Sequence, residues 1–327
     1  MSISRLIFII VVTSCAVALG QVGDAESSIE GREVVEPADV YARVSLLRAE
    51  LEFIRHQMGS PSNRQAEIEV SDAAPREVFF QALTLFRKAD RLCFEQARQR
   101  AAVPKTPGGV IQPRHVRGVV MHALERVRRV KEELGIDENA NVSARDPNKT
   151  PTDVFKAIVQ ANRQINLMLD HRFSPSDVYQ QVTLAISYAS RLLVQFPGAA
   201  RIPATPDFEP GKQPSDVYQR LVDCFDQIRD IAELSEVKVL ELDVGGEHLA
   251  EVTPSDVYDI ASLLVSELAF LHNLSKDTQS PHDLYYPGRK FPSHVYQRVG
   301  ILEAQLSALQ DRVSRVPEWL GARPGGQ

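Results

Sequence analysis

Cysteine is scarce: three residues in a chain of 327, too few for the disulfide framework of a small secreted scaffold. One of them, Cys15, falls in the N-terminal apolar segment. Cys93 and Cys224 are expected to be small buried side chains, with a Cys93–Cys224 bridge as the alternative. There is no Cys-x-x-Cys, no His-Glu-x-x-His, no Gly-x-Ser-x-Gly and no glycine-rich phosphate loop. The nucleotide, zinc-protease and serine-hydrolase chemistries that rest on those motifs are therefore not indicated. The eight histidines are scattered, and His115 and His122, seven residues apart, are two ligands short of a metal site. Neither a cofactor nor a metal is expected. A large excess of positive charge is also missing: the formal net charge is -6, which argues against the basic footprint that nucleic acid requires.

Long hydrophobic runs are absent beyond the first 20 residues. There, Arg5 precedes an apolar stretch from Leu6 to Val12 that resumes at Ala16, and Ala18-Leu19-Gly20 supplies small residues for cleavage. This pattern is that of a secretory signal peptide over 1–20, so a periplasmic or secreted protein is expected. Lipid attachment at Cys15, after Val12-Thr13-Ser14, is the alternative. The stretch is shorter than the roughly 20 residues needed to span a bilayer.

What the chain has in abundance is repetition. Pro-x-Asp-Val-Tyr occurs at Pro37, Pro175, Pro214 and Pro254, with looser copies at Pro75, Pro113, Pro151 and Pro292. The copies are 38 to 40 residues apart except for one interval of 24, between Pro151 and Pro175. Counting each proline as position 1, positions 4, 8, 11, 15 and 18 are apolar in every copy: Val40, Val44, Leu47, Leu51 and Ile54 in the first, Val257, Ala261, Leu264, Leu268 and Leu271 in the seventh. The 4-3-4-3 spacing is a heptad seam down one helix face. An aromatic flanks it at position 5 in all copies but the third, which has Arg117.

The motif itself has the form of a helix start. Proline suits the first helical position. An acid at position 3 can accept a hydrogen bond from the N-cap N–H and meets the positive end of the helix dipole. Only His115 and His294 replace the acid, and a surface substitution accounts for both.

Eight equivalent helices of about 22 residues follow, an all-α fold. The short interval divides them into two sets, so two tandem four-helix bundles are expected, 36–173 and 174–316, with antiparallel packing. An α-solenoid-like array is the alternative, in which the long connections run back along the helices and let them point the same way. Residues 21–35 and 317–327 are expected to be flexible. Two patches within the connections, Ile68-Glu69-Val70 and Val237 to Val244, look strand-like.

Candidate contact residues are those that break the pattern. The third copy carries Arg114, His115 and Arg117 on a basic helix, which suits an acidic partner. Asn162 interrupts the apolar face of the fourth helix. Tyr285 and Tyr286 are adjacent tyrosines in a loop, a residue type favoured at interfaces. No catalytic residue is indicated. A heptad-seamed bundle in an exported chain resembles, in fold class alone, bacterial envelope sensor domains. The expected function is a non-enzymatic interaction or scaffolding protein of the cell envelope with protein partners. The alternative is a small-ligand-binding or sensor-like bundle.

Overall fold

A computed structural model of the chain describes residues 34–62, 69–107, 110–141, 144–169, 173–243, 252–275 and 288–320. The described residues from Val35 onward belong to one compact unit. The leader assigned to 1–20 lies outside the described residues.

Eight helices begin at the eight motif prolines: α1 Pro37–Gln57, α2 Pro75–Ala97, α3 Pro113–Glu133, α4 Pro151–Asn166, α5 Pro175–Leu193, α6 Pro214–Leu234, α7 Pro254–Leu274 and α8 Pro292–Val313. The fold is all-α, with a single two-stranded ribbon among the described residues, β1 Glu69–Ser71 against β2 Glu241–Asp243. The strands are antiparallel, with Val70 opposite Leu242. They fall on the two patches marked in the sequence.

Every residue in the five heptad columns of every helix is buried. In the first four helices, α1 packs on α3 and α4, and α2 packs on α3 and α4. This makes a square in which consecutive helices α1 and α2 occupy opposite corners. The second four repeat the plan, with α5 and α6 each packing on α7 and α8.

Helix direction corrects the expectation of antiparallel packing. Pro37, Pro75, Pro113 and Pro151, with Val40, Val78, Val116 and Val154, surround one small space, so all four helix starts of the first set meet at one end. Pro175, Pro214, Pro254 and Pro292 meet likewise, with Val178, Val217, Val257 and Val295. Each space is about 10 Å³, roughly one water, so the prolines form a closed collar and not a pore. Side-chain pairs at matching heights agree: Gln164 Nε2 donates to Glu52 Oε1 at 2.6 Å, and Gln310 Nε2 to Asp230 Oδ2 at 3.2 Å. The four helices of each set are parallel. A connection of about 15 residues, able to stretch roughly 50 Å, returns the chain along a helix of about 30 Å. The solenoid-like alternative had the direction right, but the helices close into squares and do not stack in a row.

The two sets run in opposite directions. They meet where α2 crosses α7, and the start of α2 lies against the end of α7: Arg76 sits over the Phe270 ring at 3.8 Å. Opposed directions explain the short α4–α5 junction, which needs no return path. Helix α7 alone among the described helices is long and apolar enough to cross a membrane, yet most of that stretch is buried inside the fold. It is apolar all round because α2, α5 and α6 all pack on it.

Two further expectations are settled. Cys93 and Cys224 are both free and buried, so the bridge does not form. The tail is not loose at Pro317: Pro317–Leu320 forms a 3-10 turn in which buried Trp319 stacks on Phe196 at 5.5 Å and donates from Nε1 to Ser235 Oγ at 2.8 Å.

Candidate functional site

The motif residues are consumed within the collars. At all eight helix starts the position-3 side chain accepts a hydrogen bond from the N-cap N–H, as in Glu36 N–H to Asp39 Oδ2 at 2.8 Å and Ser174 N–H to Asp177 Oδ2 at 2.7 Å. His115 and His294 do the same through Nδ1, at 3.1 and 3.2 Å. These histidines therefore replace the acid functionally, contrary to the expectation of plain surface substitution. Burial, and then the positive charge of Arg114, hold the His115 imidazole below its ordinary value.

The other motif positions lock one helix start to the next. The residue before the N-cap covers the position-5 ring of a neighbouring helix: Lys149 over Tyr41 at 4.7 Å, Lys212 over Tyr296 at 4.1 Å, Lys290 over Tyr179 at 4.8 Å and Phe173 over Tyr258 at 4.2 Å. The N–H of the same residue donates to a position-2 hydroxyl: Ala73 to Thr152 at 3.2 Å, Lys212 to Ser293 at 3.1 Å and Lys290 to Ser176 at 2.9 Å. In the second set these contacts run in one order, from α6 to α8, from α8 to α5 and from α5 to α7.

Arg117 is half-buried, and its charge acts on Asp39 of α1. The Glu36 N–H, then Arg145 and Arg117, hold the Asp39 carboxyl below the usual carboxylate range. Arg117 thus belongs to the collar. Arg114 is exposed. Asn162 is fully buried and donates to Gln81 Oε1 at 3.3 Å, a pairing of α4 with α2 inside the first set. Tyr285 and Tyr286 lie outside the described residues. The structure brings Arg114, His115 and Arg117 together and leaves Asn162 apart.

Helix α3 presents an open basic face. Arg114, Gly118, His122, Glu125 and Arg128 are exposed along it, and neither Arg114 nor Arg128 pairs with a carboxylate among the described residues. Gly118 sits mid-helix, where glycine costs about 1 kcal/mol relative to alanine. A Cβ added there would meet nothing within 4 Å. Gly300 of α8 shows the opposite case: a Cβ would lie 2.6 Å from Arg220 Nη2 and 2.9 Å from Pro206. That guanidinium lies across the helix to reach Glu303 at 2.6 Å and the Tyr296 carbonyl at 3.0 Å.

Sequence reasoning missed the seam between α2 and α7. Glu77 and Glu267, both fully buried, share one guanidinium: Arg76 Nη2 is 2.6 Å from Glu77 and 3.5 Å from Glu267. Two buried carboxylates thus share a single cation. Burial first, and the charge of Glu77 second, push the Glu267 carboxyl well above its ordinary range. About three turns further along α2, fully buried Lys88 pairs with Asp259 at 2.9 Å. The polar residues of this chain do converge, but at an interface between helix sets that periodicity within one helix does not reveal.

Beside the seam an open crevice of about 860 Å³ is lined by Val70, Ser71, Lys156, Arg229, Glu233, Glu241 and Leu242. It lies between α4 and α6, against the β1–β2 ribbon. Among the described residues no group of three or more His, Cys, Asp and Glu is arranged to hold a metal ion. Comparison with family models, with curated protein sequences and with solved structures gives no match.

Proposed function

We propose that the protein is an exported, non-enzymatic interaction protein of the cell envelope whose partner-binding face is α3. The observation that carries this reading is Gly118. Its cost to the helix has no return among the described residues, because a Cβ there would meet nothing within 4 Å, whereas the notch at Gly300, elsewhere in its own repeat, is filled by Arg220. A mid-helix notch lets a partner's backbone approach closely, and the flanking Arg114 and Arg128 favour an acidic polypeptide. All eight motif copies are occupied with holding the helix starts together, and in the third copy Arg114 and Gly118 are exposed beside the collar.

The test is site-specific photocrosslinking from position 121, beside the notch, in envelope extracts. A discrete adduct is expected that weakens with salt and disappears in Gly118→Trp and in Arg114→Glu/Arg128→Glu. An adduct unchanged in both variants would overturn the reading. Export is tested by fusing residues 1–33 to a reporter that is active only outside the cytoplasm.

A further inference from the structure

We propose that the crevice between α4 and α6 binds a small zwitterionic ligand of the amino-acid or short-peptide class. This goes beyond the α3 reading and does not depend on it. The volume, about 860 Å³, falls in the roughly 300–1,000 Å³ range of small-molecule sites, which favour junctions between packed units.

The lining chemistry selects the class. Lys156 stands on the α4 wall and makes no hydrogen bond or ion pair with any described residue; its charge acts on Asp153, one turn earlier on the same helix. Glu233 stands on the α6 wall, exposed and equally without a partner. The remaining charges are engaged: Arg229 with Asp226 at 3.1 Å, and Glu241 with Ser71 Oγ at 3.2 Å. Among the described residues, one cation and one carboxylate therefore face a common space with no hydrogen bond or ion pair to each other or to a neighbour. An occupant with a carboxylate at one end and an ammonium at the other satisfies both. A singly charged ligand leaves one of them unanswered as it displaces water, which costs affinity. Val70 and Leu242, opposite each other on the ribbon, add apolar contact for the body of such a ligand.

The full chain is screened by thermal shift against the twenty amino acids and a library of di- and tripeptides. Hits are then titrated calorimetrically as the free, N-acetylated and C-amidated forms. Free forms are expected to bind, and each blocked form to bind about 10-fold more weakly or worse. Lys156→Ala should make the amidated form equal to the free one, and Glu233→Ala should do so for the acetylated form. Lys156 is half-buried and Glu233 exposed, and circular dichroism of each variant checks that it is folded. The double reversal Lys156→Glu/Glu233→Lys should recover binding that either single reversal abolishes, because the ligand can turn end for end. An absence of hits, blocked forms that bind as well as free ones, or binding indifferent to both variants would overturn the proposal. None of these outcomes bears on crosslinking at α3.

Discussion

Burial first, and the charge of Glu77 second, act on the Glu267 carboxyl, which has only a share of the Arg76 guanidinium. The carboxyl is raised above the ordinary glutamate value of 4.5, so its contribution to stability is fully present below that value and is lost as pH rises through the folded-state value. Glu267→Gln keeps the shape and removes the ionisation. It should raise stability at pH 8 by about 1–2 kcal/mol and leave it unchanged at pH 4, as measured by thermal denaturation across pH. A variant that is less stable than the parent at pH 8 would show that the carboxylate is ionised there. His115 has the opposite sign. Its imidazole is lowered from 6.5, so its contribution is present above that value and is lost as pH falls through the folded value. His115→Asp retains an acceptor for the Gln112 N–H and adds the charge that the dipole favours. It should stabilise by about 0.5 kcal/mol at pH 7 and by more at pH 5. Neither residue could be ranked from sequence. His115 looks like a lapse in the pattern until its Nδ1 is seen to accept the same hydrogen bond as an aspartate. Position 14, which holds Glu267, is polar in most copies and gives no sign of which copies are buried.

At the level of the helix, the start motif divides its work between local and neighbouring partners. Position 3 caps its own helix, an interaction confined to four residues and therefore legible in the sequence. Positions 2 and 5 bind other helices and are silent until the square closes. Ser176 accepts from Lys290 N–H and donates to the Gly288 carbonyl at 3.0 Å, whereas Ser215, at the same place in its copy, has no such bond with any described residue. Ser176→Ala should cost about 1–2 kcal/mol and Ser293→Ala about 1 kcal/mol, with Ser215→Ala near zero; urea denaturation of the three variants separates these values. The two helical glycines form a similar contrast. Gly118→Ala should stabilise by about 1 kcal/mol, since its Cβ enters open space. Gly300→Ala should destabilise by about 1–3 kcal/mol, because the Arg220 guanidinium must leave its place across the helix. Equal effects at the two glycines would contradict the assigned packing.

Across the whole molecule, parallel packing within a set aligns four helix dipoles, an arrangement that antiparallel bundles avoid. The position-3 carboxylates at each collar offset it, and the second set, running the other way, opposes the first. The seam that joins the sets depends on buried charge. Lys88→Ala leaves Asp259 without its cation and should cost about 2–4 kcal/mol, whereas Lys88→Met/Asp259→Leu should come close to the parent. Calorimetry of both variants tests this, and a double variant as unstable as the single one would show that the ion pair contributes more than its packing.

Repetition in the sequence determined the elements: eight helices, their starts, their buried faces and the division after the fourth. These follow from interactions within one turn or one face, which period and residue type report directly. The ribbon, too, was visible as two short patches. Direction, corner and seam were decided only in three dimensions. A heptad seam packs equally well on a parallel or an antiparallel neighbour, and a long connection permits either. The choice rests on contacts between residues far apart in the chain, among them Lys290 over Tyr179, Lys212 with Ser293, and Arg76 with Glu267. The same holds for the crevice, whose walls come from α4, α6 and the ribbon, three elements that no local pattern links.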